Sequence, residues 1–343
     1  MAVRLATHSW GDGVTLGDGS GSGEASGSGA DRPLALLIHG VTSSSMTWWR
    51  VAPELVRRGY RVLAVDLRGH GASPRVSEGL VLGDLSADVL ETLQADRQKT
   101  PAATDGQRPA DAADAAGVAG VAGVAGAVAA HDPDAMDRDR AGTDRDLGVG
   151  AWGTGPGAGG AAIDLVVGHS LGALVALDLL AKVPGLARRL VLEEPAGPTG
   201  IDWETMAEGI ENDGRRARAE PEGLRRELAG SNPELDPAEV DRRLGDMAAC
   251  DTDGVAAALR RTTSFDLVGL ASAVRIPTLL VVGLEDLGSA LVGPDRLALV
   301  DALAGHSVFE VLDDGHNLHR EAFPRFMDVL DRWLGATARV REG

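Results

Sequence analysis

The sequence predicts an α/β protein built on a mostly parallel central sheet flanked by helices. Three observations carry that prediction. Short apolar runs recur along the chain, they are apolar on both faces instead of alternating with polar residues, and helix-length segments separate them. Taken in order, the runs are Leu34–Ile38, Val62–Val65, Ile163–Val167, Leu190–Leu192, Thr278–Val282 and Ser307–Leu312. Each is short enough for a strand buried under helices on both sides.

The connections between them differ in kind. Before the first run, Asp18 to Ala30 (DGSGSGEASGSGA) is a glycine and serine tract that reads as a flexible connector. DLSADVLETLQAD has helical periodicity and leads into a segment from Gln98 to Ala162 with almost no large apolar side chains, predicted to be disordered. Its GVAGVAGVAGAVAA tract is too short and too rich in glycine for the roughly 20 apolar residues of a membrane span. LGALVALDLLAKV predicts the helix after the third run. Between Pro195 and Ile276, Asp202, Asp236 and Asp251 each precede an apolar-periodic stretch and predict separate short helices as their N-caps. The expected division is therefore core over 1–97, insert over 98–162, core again over 163–195, a helical section over 196–275, and the last part of the core over 276–343.

Composition excludes several function classes. With 343 residues, 44% of them hydrophobic, the chain can bury a full core. Fifty-one acidic against 33 basic residues give a formal charge of −18, which repels phosphate backbones and anionic lipid, so neither nucleic acid nor membrane is an expected partner. The single cysteine, Cys250, has no internal disulfide partner, and MAVRLATHSWGDG lacks the charged start and apolar core of a signal peptide, which predicts a cytoplasmic location. Oligomeric state is not legible.

In open parallel sheets the functional crevice lies at the carboxyl ends of the strands. Three loops there carry chemistry: HGVTSSSMTW after Ile38, DLRGHGASP after Val65, and GHSLG after Val167. A glycine, x, serine, x, glycine pentapeptide is weak evidence alone, but between a strand and a helix it can force Ser170 into a strained turn with its hydroxyl exposed. The rival reading, Ser170 as an ordinary helix cap, needs its hydroxyl on a first-turn N–H.

These loops resemble the α/β-hydrolase fold family. HGVTSSSMTW resembles its oxyanion loop, GHSLG its nucleophile elbow, GLED its acid loop and DDGHNLHRE its histidine loop, in the family's order of serine, acid and histidine. The resemblance implies a helical cap, inserted after the sixth strand, over residues 196–275. It also implies Ser170 as nucleophile, His316 as base and Asp286 as acid, with the backbone N–H groups of Val41 and Leu171 receiving the oxyanion. Glu194 is the alternative acid, because some members carry it after the preceding strand and a glutamate could reach the same imidazole nitrogen. His319 is the rival base, while His39, His70 and His169 read as structural.

Met46, Trp48, Trp49, Trp203 and Met206 are candidates for an apolar pocket wall, against the simpler reading of core packing. The run GRRARAEPEGLRR reads as a solvated face, with a basic rim steering acidic substrates as the alternative. No cofactor and no metal site are expected, since His316 and His319 have no third ligand by spacing. The expected function is a serine hydrolase acting on a small-molecule acyl substrate, a carboxylic ester, lactone or thioester. The alternatives are a receptor-like binder with little turnover, a carbon–carbon bond hydrolase and a cofactorless peroxidase. Serine at the elbow argues against the dehalogenase and epoxide-hydrolase branches, which resemble this chain but use aspartate there.

Overall fold

All six apolar runs become strands, and a seventh that the pattern does not announce joins them. The computed structural model describes residues 1–11, 32–99, 162–199, 202–262, 265–303 and 305–339. Strands β1 (Thr7–Trp10), β2 (Leu34–Ile38), β3 (Arg61–Val65), β4 (Leu165–His169), β5 (Leu190–Glu193), β6 (Thr278–Val282) and β7 (Ser307–Val311) form one sheet in the order β1-β3-β2-β4-β5-β6-β7. Every pairing is parallel except β1 with β3. β1 has the sequence THSW, with no apolar run to betray it, because it lies half-exposed at the edge.

Side-chain alternation sends the sheet's two faces into two cores. Leu34, Leu36 and Ile38 pack on the side of α2 (Leu82–Lys99), α3 (Leu171–Lys182), α8 (Leu267–Ala273) and α9 (Gly293–Ala302). Ala35 and Leu37 pack on the other side, with α1 (Val51–Arg57) and α10 (Phe323–Arg339). Strands β2, β4, β5 and β6 are buried along their whole length, which is why they read as continuous apolar runs. Each large aliphatic side chain so buried contributes about 1.5–3 kcal/mol.

Between β5 and β6 the chain forms α4 (Trp203–Ala219), α5 (Pro221–Ser231), α6 (Pro237–Ala249), α7 (Thr252–Arg261) and α8. This helical section therefore follows the fifth strand and not the sixth, because only β1 precedes the strand LALLI. Asp202 accepts from the N–H groups of Glu204 and Thr205, and Asp236 from that of Ala238, as N-caps do. Asp251 does not cap α7; its carboxylate accepts instead from Val76 N at 2.9 Å and pairs with Arg75, tying the section to the core. The run GRRARAEPEGLRR is a solvated face, its arginines meeting neighbouring acids in the pairs Arg216–Glu227 and Arg225–Asp241.

The expectations for the tract 18–30 and for most of 98–162 fall outside the described residues. The flanks of the longer segment are described, and α2 runs on to Lys99. Arg61, the first residue of β3, pairs with Asp96 near the end of α2 at 3.0 Å, and Asp164 N donates to Leu34 O at the start of β2. Both flanks thus lie at the amino edge of the sheet, opposite Ser170. Replacing residues 100–161 by a short glycine and serine linker is expected to leave kcat/KM within roughly twofold of the full chain; lost turnover in a folded deletion variant contradicts this placement.

Candidate active site

Strand register brings the carboxyl ends of four strands level: Ile38 pairs with Gly168, Gly168 with Leu192, and Leu192 with Leu280. The loops leaving those ends must turn sharply over one another. Among the described residues, three non-glycine residues have positive φ, and all three are here: Thr42 (55°), Ser170 (53°) and Glu194 (48°). Such conformations cost of order 1–3 kcal/mol each and persist where the surroundings over-determine them.

At the elbow, Ser170 has φ 53° and ψ −117°, and its side chain makes no cap hydrogen bond, which removes the helix-cap reading. Glycine is required on both sides. A Cβ on Gly168 would lie 2.5 Å from Gly172 O, and one on Gly172 would lie 2.2 Å from Ile38 O. The loop after β2 approaches as closely, since a Cβ on Gly40 would meet His169 Nδ1 at 2.7 Å and Ser170 Cβ at 3.1 Å. His39 anchors that loop, its Nδ1 donating to Gly40 O at 2.6 Å and its Nε2 accepting from Leu67 N at 2.9 Å. Asp66 adds a second tie by accepting from Ser45 N and Ala72 N.

His316 and Ser170 line one cavity of about 500 Å³, together with Val41, Met206, Asn317, Arg243 and Arg320 among others. Leu171 opens helix α3, so its N–H has no partner within the helix. The carboxylate that meets His316 is not that of Asp286. Asp286 lies exposed on a 3-10 turn, Glu285–Leu287, and makes no hydrogen bond or ion pair among the described residues. Glu194 Oε2, fully buried, lies 3.0 Å from His316 Nδ1. Positive φ at Glu194 turns its side chain inward beneath the histidine loop, where the longer glutamate reaches the ring.

Donors converge on Glu194 from several elements. Oε1 accepts from Gly283 N at 2.6 Å and from the Ser289 hydroxyl at 2.7 Å, and Oε2 accepts from Ala290 N at 2.7 Å as well as from the imidazole. Glycine at 283 is what lets the histidine loop sit close, because a Cβ there would fall 2.3 Å from Gly315 O.

A second histidine–glutamate pair lies beside the first and is fully buried. Glu193 accepts from His319 Nδ1 at 2.8 Å and from His319 N at 2.9 Å, while His319 Nε2 meets Thr47 Oγ1 at 2.6 Å. Both ring nitrogens of His319 are thus held by protein partners, away from the cavity that Ser170 lines. His169, Glu193 and His319 offer ligand atoms within 4.8 Å of one another, a grouping that sequence spacing did not suggest. These residues also have protein partners, His169 Nε2 meeting His316 O at 3.0 Å and the others as above, so the group reads as a hydrogen-bond network.

The candidate pocket residues separate. Met206 lines the cavity of Ser170, and Trp203 lines an adjoining apolar cavity with Leu171, Leu174, Val255 and Phe265. Met46 lines neither. Trp48 is fully buried in the core, stacked at 4.4 Å on His319, and Trp49 donates to Glu239 at 2.6 Å, so neither is a pocket wall. Arg243 and Arg320 were missed, because nothing in a helical charge pattern says which arginine turns inward.

Residues 35–329 match the profile of the Alpha/beta hydrolase family. Over 65 residues, 18% of this chain, the sequence is 38% identical to Epoxide hydrolase B of Mycobacterium tuberculosis, and the match spans only 18% of that protein's length. Among solved structures, the chain is similar to a thermophilic esterase from Thermogutta terrifontis, at 20% identity and a TM-score of 0.58, covering 97% of this chain and 93% of that one. It is also similar to the enol-lactonase from Burkholderia xenovorans, at 18% identity and a TM-score of 0.56, covering 96% of each chain. Likeness at these identities shows the fold alone. Among the described residues no helix is long and apolar enough to cross a membrane.

Burial makes this edge sensitive to acid. It lowers His39 to about 3 and pulls His70, His169 and His319 down as well, so all four imidazoles are neutral in the fold. Unfolding lets them take up protons below their ordinary value of about 6.5, so stability is lost as pH falls through that value. Burial pushes Asp246 the other way, up to about 6, and gives back part of the loss near pH 6 and below. The unfolding free energy from urea titration is expected to fall between pH 7 and pH 5.5 by on the order of 1 kcal/mol per histidine before that offset; a flat or rising value contradicts the assignment.

Proposed function

This chain belongs to the alpha/beta hydrolase family, and we propose that it is a serine hydrolase that cleaves a carboxylic ester, lactone or thioester through an acyl-enzyme on Ser170. The observation that supports this most is the shared cavity. A serine hydroxyl freed from capping by a strained turn lines the same wall as an imidazole whose Nδ1 is held by a buried carboxylate.

The chemistry follows from that arrangement. With Nδ1–H committed to Glu194, Nε2 of His316 is the nitrogen left to accept the Ser170 proton as the hydroxyl oxygen attacks the acyl carbon. Charge then develops on the carbonyl oxygen, and the N–H groups of Leu171 and Val41 would receive it. Collapse of the tetrahedral species expels the alcohol or thiol, which takes the proton back from His316. Water repeats the sequence on the acyl-enzyme and releases the acid. Glu194 keeps the imidazole in the productive tautomer and stabilises its cationic form. The helices α4 to α8 act as a cap: α4 supplies Met206 and α6 supplies Arg243 to the cavity wall, so substrate choice resides there.

Two measurements test the reading. Short-chain p-nitrophenyl esters are expected to give a burst of p-nitrophenol stoichiometric with the protein, lost in Ser170→Ala along with labelling by a fluorophosphonate. A folded protein that neither bursts nor is labelled would be a binder instead. Glu194→Gln is expected to lower kcat by roughly 10³ to 10⁴, as loss of the orienting carboxylate does, whereas Asp286→Asn is expected to stay within about threefold of wild type; the reverse result would restore Asp286 as the acid.

A further inference from the structure

Arg243 lies in the wall of the cavity that holds Ser170 and His316, on the helical section and not on the sheet edge. Among the described residues its guanidinium makes no hydrogen bond and no ion pair. It is also largely withdrawn from water, and burial, followed by the charge of Arg320, pulls its pKa below the ordinary arginine value. A desolvated guanidinium without a partner is costly, and proteins retain one where a ligand supplies the missing anion.

The other charges of the wall are already matched. Arg320 Nε lies 2.6 Å from Thr47 Oγ1 and 3.0 Å from Glu239 Oε1, and its Nη2 donates to Ser43 Oγ at 2.7 Å. Asp202, at the exposed rim, is committed to the first turn of α4 and to the Thr205 hydroxyl. In the run 214–226, Arg216 and Arg225 pair with Glu227 and Asp241 on the outer surface. Among the described residues Arg243 therefore remains the cationic side chain of the wall with no direct partner, Glu321, Asp213 and Glu239 acting on it only at longer range, within a chain of formal charge −18.

We propose that Arg243 anchors a carboxylate carried by the acyl substrate, so that half-esters of short dicarboxylic acids, or lactones bearing a free carboxylate, are the preferred substrate class. This rests on the serine hydrolase reading above. A planar guanidinium fork matches a carboxylate in two parallel hydrogen bonds, which would fix the far end of the substrate while its acyl carbon meets Ser170.

Two probes separate the inference from the reading it rests on. The first is the ratio of kcat/KM for mono-p-nitrophenyl glutarate over p-nitrophenyl 5-methylhexanoate, whose isopropyl end matches the carboxylate in shape. The wild type is expected to favour the anionic ester, and Arg243→Gln to cut the ratio by at least about tenfold, with Arg243→Lys retaining part of the preference. The second is calorimetric titration of glutarate into Ser170→Ala, with and without Arg243→Gln. A ratio unmoved by Arg243→Gln, in protein still labelled at Ser170, overturns the anchor and leaves the serine hydrolase standing. Glutarate binding that Arg243→Gln abolishes, in a protein that hydrolyses neither ester, sustains the anchor and overturns the hydrolase. If Arg243→Gln fails to fold, the Lys variant decides by the same ratio.

Discussion

Everything at the functional edge depends on four parallel strands ending at the same level. Because β2, β4, β5 and β6 finish in register, the chain leaves each of them through a turn with no room for a side chain against its neighbour. Glycines at 40, 168, 172 and 283 answer that crowding, and the residues that cannot be glycine, Thr42, Ser170 and Glu194, accept positive φ instead. The two buried cores hold the strands rigid enough to sustain that strain. Strain is thus spent where a hydroxyl and a carboxylate must point away from the directions that regular strand or helix geometry would give them.

The consecutive glutamates show how finely this works. Glu193 is the last residue of β5 and keeps the strand's alternation, so its carboxylate enters the side where Trp48 and His319 pack. Glu194, one residue on, leaves the strand with φ 48° and turns under His316. Two adjacent carboxylates therefore hold two histidines three residues apart, one as a buried strut and one at the cavity. Thr47 and Arg320 join the strut to the loop after β2, so the proposed oxyanion donor, Val41, and the proposed base share one hydrogen-bonded frame.

Charge is distributed with the same economy. Buried Arg68 and Asp88 form a bidentate pair that clamps the turn after β3 to α2, a contact whose severing costs about 3–5 kcal/mol in comparable buried pairs. Arg216 on α4 and Arg225 on α5 pair with nearby acids. Arg260 pairs with Glu211 and Arg242 lies over the Trp49 ring, whereas Arg243, in the cavity wall, has no direct partner among the described residues.

The sequence by itself determined the sheet, the strand-end loops and the serine, because burial on both faces writes itself as an unbroken apolar run and a tight elbow demands glycines at fixed spacing. It also determined that His316 and one of two acids would be near Ser170. Tertiary structure alone shows which of those carboxylates meets His316. Asp286 and Glu194 both follow a strand end, and only the folded chain, in which Glu194 takes a positive φ and reaches His316, tells which carboxylate turns inward. The edge strand β1 escaped notice for the opposite reason, having too little burial to leave an apolar pattern. Arg243 was illegible as well. Its neighbours in sequence are charged like any solvated helix, and its lack of a direct partner is a property of what the fold places around it.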